Sequence, residues 1–355
     1  MTLPATTPAE FDSFLRAQAE GLRPFNPKSL HASLGGEQAP PALRRAVPQN
    51  ATYVETGADI HGPVDHRPRS DLPGASNTGV DMLTGATRWS NSRNWSGAVI
   101  GARGGRRFDI VSATWTLPAA VTVPAGETLP PGDGYRLSIW IGLDGHRMGS
   151  PSMPQIGTTL ALCRDPASGE PTLTAYAWTQ WWVRGKGGED GYTEVRIRTF
   201  DLVPGDTVTC GLFLSDRDDV NFSIRRHRGN KLTGLSWVSH RLLRQDVIVP
   251  RPGEAVAGSG ACFIVERPMK HRSTAMYPLP DFGAVAFREC WARTLPIGGT
   301  APAARRIRDL RAARRIRMVD LVGGPARIKT LARPVQPRAS DPPDSLRIEF
   351  GRDRA

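Results

Sequence analysis

Apolar and polar residues alternate along much of the chain from about residue 89 onward. In the stretch 108–117, Val111, Ala113, Trp115 and Leu117 fall on one face, whereas serine and threonine residues fall on the other. Side chains of a β-strand point alternately to its two faces, so this period of two predicts a strand with one face in a hydrophobic core.

Short stretches of this kind recur at near-regular spacing, and glycine or proline residues separate them. We predict strands at 94–100, 108–117, 135–143, 158–162, 173–183, 193–200, 207–214, 221–226, 235–238, 261–266 and 284–287. Many short strands without long helical periods indicate an all-β fold, an antiparallel sandwich or barrel.

The C-terminal part of the sequence permits two interpretations. Residues 304–317 are rich in arginine and carry Ile307 and Leu310 at helical spacing, which is compatible with a basic helix. Residues 315–321 and 345–350 instead alternate like strands. We favour two late strands that complete the same sandwich.

Residues 1–87 differ from the rest of the chain because proline, glycine, asparagine and serine dominate them after one short amphipathic stretch at 11–22. Such a segment buries little apolar surface. We therefore predict an N-terminal leader or flexible arm at 1–87, followed by one β-sandwich domain at 88–355. The arm is either a propeptide that covers the site or an extension with no role.

The formal net charge is +12, which raises nucleic acid or an acidic surface as partners. The basic residues are mostly arginines scattered through strand-like stretches, without an RNA-binding aromatic signature or zinc-finger spacing, so nucleic acid is not the expected partner. No run of eighteen apolar residues occurs, so we expect no membrane association. We expect a monomer.

Most familiar catalytic motifs are absent. The sequence contains no GxSxG, no HExxH and no phosphate-binding glycine loop, and its seven histidines lack metal-ligand spacing. The four cysteines form no CxxC pair, so they are either buried free thiols or members of one or two disulfides. Cys262 is a strand residue in the core rather than a nucleophile. We expect neither a metal nor another cofactor.

Two polar residues and a high density of tryptophan remain as candidate chemistry. Gln155 begins an apolar stretch and Glu266 ends one, 111 positions later in the chain. In an alternating strand Trp178 and Trp182 point to one face and Trp181 to the other. A concave face lined by tryptophan would suit a peptide or a sugar.

Six short motifs occur in a fixed order: Asn94-Trp-Ser-Gly97, Trp140-Ile-Gly-Leu-Asp-Gly145, Gln155-Ile-Gly157, Tyr176-Ala-Trp-Thr-Gln-Trp-Trp182, Phe263-Ile-Val-Glu-Arg-Pro268 and Asp281-Phe-Gly-Ala-Val285. In this order the chain resembles the glutamic peptidases, the eqolisin family. The resemblance implies an antiparallel two-sheet β-sandwich of the concanavalin or lectin-like jelly-roll kind. It also implies secretion, although the N-terminus lacks the basic and hydrophobic regions of a signal peptide.

The resemblance further implies an endopeptidase that acts on polypeptides at acidic pH without a metal or a covalent intermediate. Glu266 matches the family's catalytic glutamate and Gln155 its catalytic glutamine. A carboxylate in an aromatic-lined cleft can take a proton from water and return it to the leaving amine. The glutamine amide can stabilise the oxyanion and help to hold the water.

Further positions match the substrate side of the family's cleft. The predicted substrate-binding residues are Trp95, Trp140, Asp144, Tyr176, Trp178, Gln180 and Trp182. Three positions depart from the family pattern, because Gln180, Tyr176 and Cys262 stand where the family has acidic residues. The chain is also basic where typical members are acidic.

A second hypothesis needs no catalysis. A jelly-roll module with an exposed tryptophan platform would bind a glycan or a peptide, and its binding would depend on Trp178 or Trp182. Such a module would show no proteolysis at any pH.

Overall fold

The computed structural model describes residues 59–60, 89–147, 150, 152–183, 194–216, 219–228, 231–241, 255–270, 275–297, 304–321 and 328–351. The amphipathic stretch at 11–22, which could form a short helix, and most of the predicted arm lie outside these residues. Every regular element in the described part of the chain is a strand. No helix there is long and apolar enough to cross a membrane.

The described residues form eighteen strands, which are short and follow one another closely: β1 (Asp59–Ile60), β2 (Trp89–Ser92), β3 (Trp95–Gly101), β4 (Arg106–Thr116), β5 (Tyr135–Leu143), β6 (Ser152–Arg164), β7 (Pro171–Val183), β8 (Val195–Leu202), β9 (Thr207–Asp216), β10 (Asp219–Arg228), β11 (Lys231–Arg241), β12 (Gly260–Glu266), β13 (Met269–Lys270), β14 (Ala284–Pro296), β15 (Arg305–Ile307), β16 (Arg314–Leu321), β17 (Ile328–Pro334) and β18 (Leu346–Phe350).

Sixteen of these strands belong to one hydrogen-bonded sheet. Its main path runs β11-β10-β9-β4-β14-β18-β17-β16-β3-β12-β5-β6-β7-β8, with β15 on β14 and β2 on β16. The pairs are antiparallel except for the parallel pair of β2 and β16. Strands β1 and β13 form a separate antiparallel pair.

The sheet curls so that its two halves face each other across one hydrophobic core. The indole Nε1 of Trp115 on β4 donates to Thr158 Oγ1 on β6 at 3.0 Å, although these strands are far apart in the ladder. The predicted inward residues of β4, from Val111 to Leu117, all belong to this core. The predicted antiparallel β-sandwich is therefore confirmed.

The C-terminal part forms strands, and the alternative of a basic helix at 304–317 is wrong. Strands β15 and β16 occupy that segment, joined by a turn in which Ala313 N donates to the Leu310 carbonyl oxygen. Strand β16 pairs with β3, while β18 pairs with β14. Residues 304–351 therefore link the two halves of the sheet.

The four cysteines are free thiols, three of them buried, so neither disulfide alternative holds. Burial raises the pKa of the Cys262 thiol well above its ordinary value, and the nearby Asp144 carboxylate raises it further. A thiol that resists ionisation is a poor nucleophile, in agreement with the core role predicted for Cys262.

Close packing around β3 requires a glycine at position 97. A Cβ atom on Gly97 would lie 2.1 Å from the carbonyl oxygen of Phe263 on the neighbouring β12. A Cβ atom on Gly101, at the exposed end of the same strand, would meet no atom within 4 Å. The two glycines therefore differ in packing although they share a strand.

We expect Gly97→Ala to lower the free energy of unfolding by about 3 kcal/mol, because the added methyl group forces β3 and β12 apart. The matched variant Gly101→Ala should unfold like the parent within about 0.5 kcal/mol. Chemical denaturation of the three proteins measures both values. Equal stability of the two variants would contradict the packing described for β3.

Candidate active site

The layer formed by β3, β12, β5, β6 and β7 carries a second apolar cluster on the face opposite to the main core. We call this surface the tryptophan face; its apolar residues are Trp95, Val99, Trp140, Met153, Trp178, Trp182, Cys262, Ile264 and Ile316. Trp181 belongs to the main core instead. The predicted division between Trp178 and Trp182 on one side and Trp181 on the other is confirmed.

Glu266 is the last residue of β12 and lies on the tryptophan face, with its side chain completely buried (0% exposed). Its carboxylate accepts a hydrogen bond from Trp140 Nε1 at 2.7 Å on one oxygen and from Asn94 Nδ2 at 3.3 Å on the other. Both of these donors are neutral, so each contributes a dipole to the surroundings of the carboxylate.

Residues before β3 orient the amide of Asn94. Ser92 Oγ donates to Asn94 Oδ1 at 2.8 Å and accepts from the backbone N–H of Trp95 at 3.1 Å. The Asn94 amide oxygen is thereby occupied, which leaves its N–H group directed at Glu266. Arg267, the next residue in the chain, donates to the carbonyl oxygen of Arg93 at 2.7 Å and fixes the end of β12.

Gln155 lies on β6 and is also completely buried (0% exposed). Its Cα partners are Gly142 on β5 and Gln180 on β7. Its amide Nε2 donates to Gln180 Oε1 at 3.5 Å. The neighbour of Gln155 is thus a neutral amide at the position where the resemblance leads one to expect an acid.

The register of the sheet fixes the relation between Gln155 and Glu266. Gln155 pairs with Gly142 on β5, whereas Glu266 pairs with Ser138 on the same strand. The two residues are therefore four positions apart along β5, about 13 Å along the strands and about 10 Å across them. They share one face but lie on opposite sides of Trp140.

Two glycines make room for the indole of Trp140 between these positions. A Cβ atom on Gly157 would lie 2.5 Å from Trp140 Cβ, and one on Gly142 would lie 3.0 Å from Trp140 Cζ3. The ring of Trp95 meets that of Trp140 edge to face, with centroids 4.9 Å apart. Gly142 of the motif at 140–145 and Gly157 of the motif at 155–157 therefore both provide the space that the Trp140 side chain occupies.

A row of hydroxyl groups runs beside Glu266. Ser138 Oγ and Thr159 Oγ1 are hydrogen-bonded at 2.8 Å, and Trp178 Nε1 donates to Thr159 Oγ1 at 2.9 Å. Sequence reasoning did not single out Asn94, Ser138 or Thr159 as site residues. Asn94 could have been identified because it begins the first of the six motifs. Ser138 and Thr159 belong to no motif, so the sequence did not indicate a role for them.

Asp144 lies at the turn after β5, in a left-handed backbone conformation with φ of 66°. Its buried carboxylate accepts hydrogen bonds from the backbone N–H groups of Ala257, Gly258 and Ser259 and from the Ser259 hydroxyl. These contacts attach the segment before β12 to the end of β5. The predicted role of Asp144 in substrate binding stays a prediction.

The remaining predicted substrate-binding residues line β7. Tyr176 is partly buried and its ring contacts the Arg196 guanidinium, 3.8 Å from the ring centroid. Trp178, Gln180 and Trp182 are buried. Trp178 and Trp182 are therefore not exposed, in contrast to the tryptophan platform of the second hypothesis.

Among the described residues no group of three or more histidine, cysteine, aspartate or glutamate side chains is arranged to hold a metal ion. The polar groups described above are amides, hydroxyls, indoles and the carboxylates of Glu266 and Asp144. This set can orient a water molecule, take up a proton and donate hydrogen bonds to a developing negative charge.

Comparison with known proteins identifies one family. The model of the Peptidase A4 family matches residues 93–314 of the chain, which confirms the resemblance to the glutamic peptidases. No individual curated protein sequence matches.

Solved structures of eqolisins are similar in part. Scytalido-glutamic peptidase with a peptide-based transition-state analogue is 15% identical, with 73% of this chain and 98% of that chain covered and a TM-score of 0.42. SCP-B, an eqolisin in complex with the tripeptide Ala-Ile-His, is 16% identical over the same shares, with a TM-score of 0.40.

We expect the stability difference between the parent and Asp144→Asn to depend on pH. Burial raises the pKa of Asp144 above its ordinary value of 3.8, although the hydrogen bonds from Ser259, Gly258 and Ala257 act in the opposite direction. The folded protein then binds this proton more tightly than the unfolded chain does. Relative to the variant, the parent should gain stability as the pH falls from 7 toward 4.

The exposed Asp165 provides a control of opposite sign. Hydrogen bonds from Ser168 and Ala167 lower its pKa, so its contribution is present above about pH 4 and is lost only below that value. Denaturation of the parent, Asp144→Asn and Asp165→Asn at pH 7, at pH 4 and at about pH 3 measures both trends. A difference for Asp144→Asn that stays constant or shrinks on acidification would contradict the assignment.

Proposed function

Because the chain belongs to the Peptidase A4 family, we propose that it hydrolyses peptide bonds at acidic pH with Glu266 and Gln155 as its catalytic residues. The observation that carries this proposal is the buried carboxylate of Glu266, which two neutral donors orient on the same face as Gln155. The carboxylate of Asp144, in contrast, accepts hydrogen bonds from the backbone N–H groups at 257–259.

In the proposed reaction Glu266 accepts a proton from a water molecule, and the oxygen of that water attacks the peptide carbonyl carbon. Trp140 and Asn94 each donate to one of the two carboxylate oxygens and thereby hold the carboxylate in a fixed orientation. Glu266 then transfers the proton to the leaving nitrogen as the C–N bond breaks. The products are a carboxylic acid and an amine.

Gln155 would stabilise the negative charge that develops on the carbonyl oxygen. Its amide is held by Gln180, so little reorganisation is needed during the reaction.

We expect Glu266→Gln to lower kcat about 10³-fold, because the variant has no proton acceptor for the water. Gln155→Ala should lower kcat about 10²-fold or more, because the oxyanion loses a donor. The measurement is cleavage of an unfolded protein substrate under acidic conditions, with circular dichroism to show that each variant is folded.

The control is Glu349→Gln on strand β18, where the carboxylate forms a surface ion pair with Arg347 at 3.0 Å. This variant should cleave the substrate at the parent rate. If Glu266→Gln or Gln155→Ala also cleaves at the parent rate, the assignment of the catalytic pair is wrong.

The same proposal includes a role for the N-terminal arm as a cover. Residues Asp59 and Ile60 pair with Lys270 and Met269, three to four positions after Glu266. The Met269 side chain packs against the tryptophan face. We therefore propose that the arm helps to close this face until it is displaced.

We expect Ile60→Pro to raise the initial rate of cleavage about fivefold, because proline removes a backbone N–H group at the pairing with Met269. Ile60→Val keeps that group and should behave like the parent. Initial rates measured immediately after acidification test this expectation. An unchanged rate for Ile60→Pro would show that the pairing does not restrict access to the site.

A further inference from the structure

A pocket of about 730 Å³ opens at the end of the sandwich where β12 begins. Its volume lies in the range of ordinary ligand sites. Its walls come from the turn between β3 and β4, the segment after β5, and the ends of β14, β15 and β16. Five arginines line it: Arg103, Arg106, Arg147, Arg305 and Arg314. Asp309 is the one acid among the described lining residues.

Three of the five arginines extend into solvent. Arg103, Arg147 and Arg305 are exposed and have no ion-pair partner in the part of the chain that the structure describes. Arg106 is fixed in the wall, because its guanidinium donates to the hydroxyl and the carbonyl oxygen of Thr294 at 2.8 and 2.9 Å. Several guanidinium groups around one space attract carboxylates, which they bind through two hydrogen bonds each.

The pocket adjoins the tryptophan face. Val99 belongs to both surfaces. His146, another residue of the wall, packs so closely on Gly260 that a Cβ atom there would lie 2.4 Å from the imidazole. Gly260 begins β12 and Glu266 ends it, so the pocket lies about 20 Å from Glu266 along the strand. An extended peptide covers that distance in about six residues.

We propose that this pocket binds an acidic segment of the polypeptide substrate, about six residues from the bond that is cleaved. This inference rests on the proposed peptidase function for the identity of the substrate. The wall also contains Ile100, Ile307 and Ala312, which suit the methylene groups of glutamate and aspartate side chains. These apolar residues favour a polypeptide over a phosphate-rich ligand.

The first experiment measures binding without cleavage. A labelled peptide with a run of four glutamates is titrated against the full chain carrying Glu266→Gln, beside a peptide with four glutamines. The combined substitution of Arg103, Arg147 and Arg305 by alanine should weaken binding of the glutamate peptide about tenfold or more and leave the glutamine peptide unchanged.

A matched control removes the same charge elsewhere. Arg164, Arg288 and Arg338 are exposed and do not line the pocket, so their combined substitution by alanine should leave binding of the glutamate peptide nearly unchanged. Equal losses in the two triple variants would mean that net charge alone attracts the peptide, which would overturn the proposal. Full retention of binding in the pocket variant would overturn it as well.

The second experiment tests the spacing with the catalytically active chain. Peptides that share one cleavable core carry four glutamates either two or six residues from it, on either side. The six-residue spacing should give the higher kcat/KM, and this advantage should vanish in the pocket variant. An equal kcat/KM for both spacings would overturn the placement of the acidic segment.

Two further results distinguish the acidic-peptide site from the proposed peptidase function and from a site for phosphate groups. If the parent binds the glutamate peptide through the pocket but cleaves no peptide, the proposed peptidase function fails and the anionic site stands. If pyrophosphate or a single-stranded oligonucleotide binds more tightly than the glutamate peptide and loses affinity in the pocket variant, the site is one for phosphate groups and the proposal is wrong.

Discussion

Strand β12 is hydrogen-bonded to β3 on one side and to β5 on the other, without a shift of register along either pairing. A strand held in this way cannot slip by one residue, because the slip would turn Phe263 out of the core and Glu266 into it. The register of β12 fixes which of its residues point to the core and which point to the tryptophan face. It therefore decides which side chains can meet on that face. The offset between Glu266 and Gln155 follows from the same pairing through β5.

The buried carboxylates and the arginines of the pocket differ in how the fold surrounds them. The buried carboxylates of Glu266 and Asp144 each receive several hydrogen bonds, so the cost of removing them from water is offset within the fold. Arg103, Arg147 and Arg305 of the pocket beside Gly260 are instead exposed to solvent. The first arrangement fixes the position of each carboxylate, whereas the second leaves guanidinium groups accessible to another molecule.

The sequence predicted those features that depend on local alternation. The inward face of β4 and the opposite orientations of Trp178 and Trp181 follow from a period of two, which needs no knowledge of neighbouring strands. The use of the Asp144 carboxylate by residues 257–259 was not predictable, because it depends on a contact more than 110 positions away. The burial of Trp182 was not predictable for the same reason, because the exposure of a side chain depends on which distant residues pack over its strand.

Strands β16, β17 and β18 stand in the middle of the ladder although they come last in the chain. While the protein is being synthesised, β3 therefore lacks a partner on one edge until β16 has emerged from the ribosome, and β14 lacks its partner β18 until residue 350 has emerged. Pairings such as that of Ile316 with Gly97 span more than 200 positions, and contacts of such high sequence separation form slowly. Open strand edges are sites of pairing with other chains. Until β16 and β18 have been made, these strand edges of the nascent chain are therefore open to pairing with other chains.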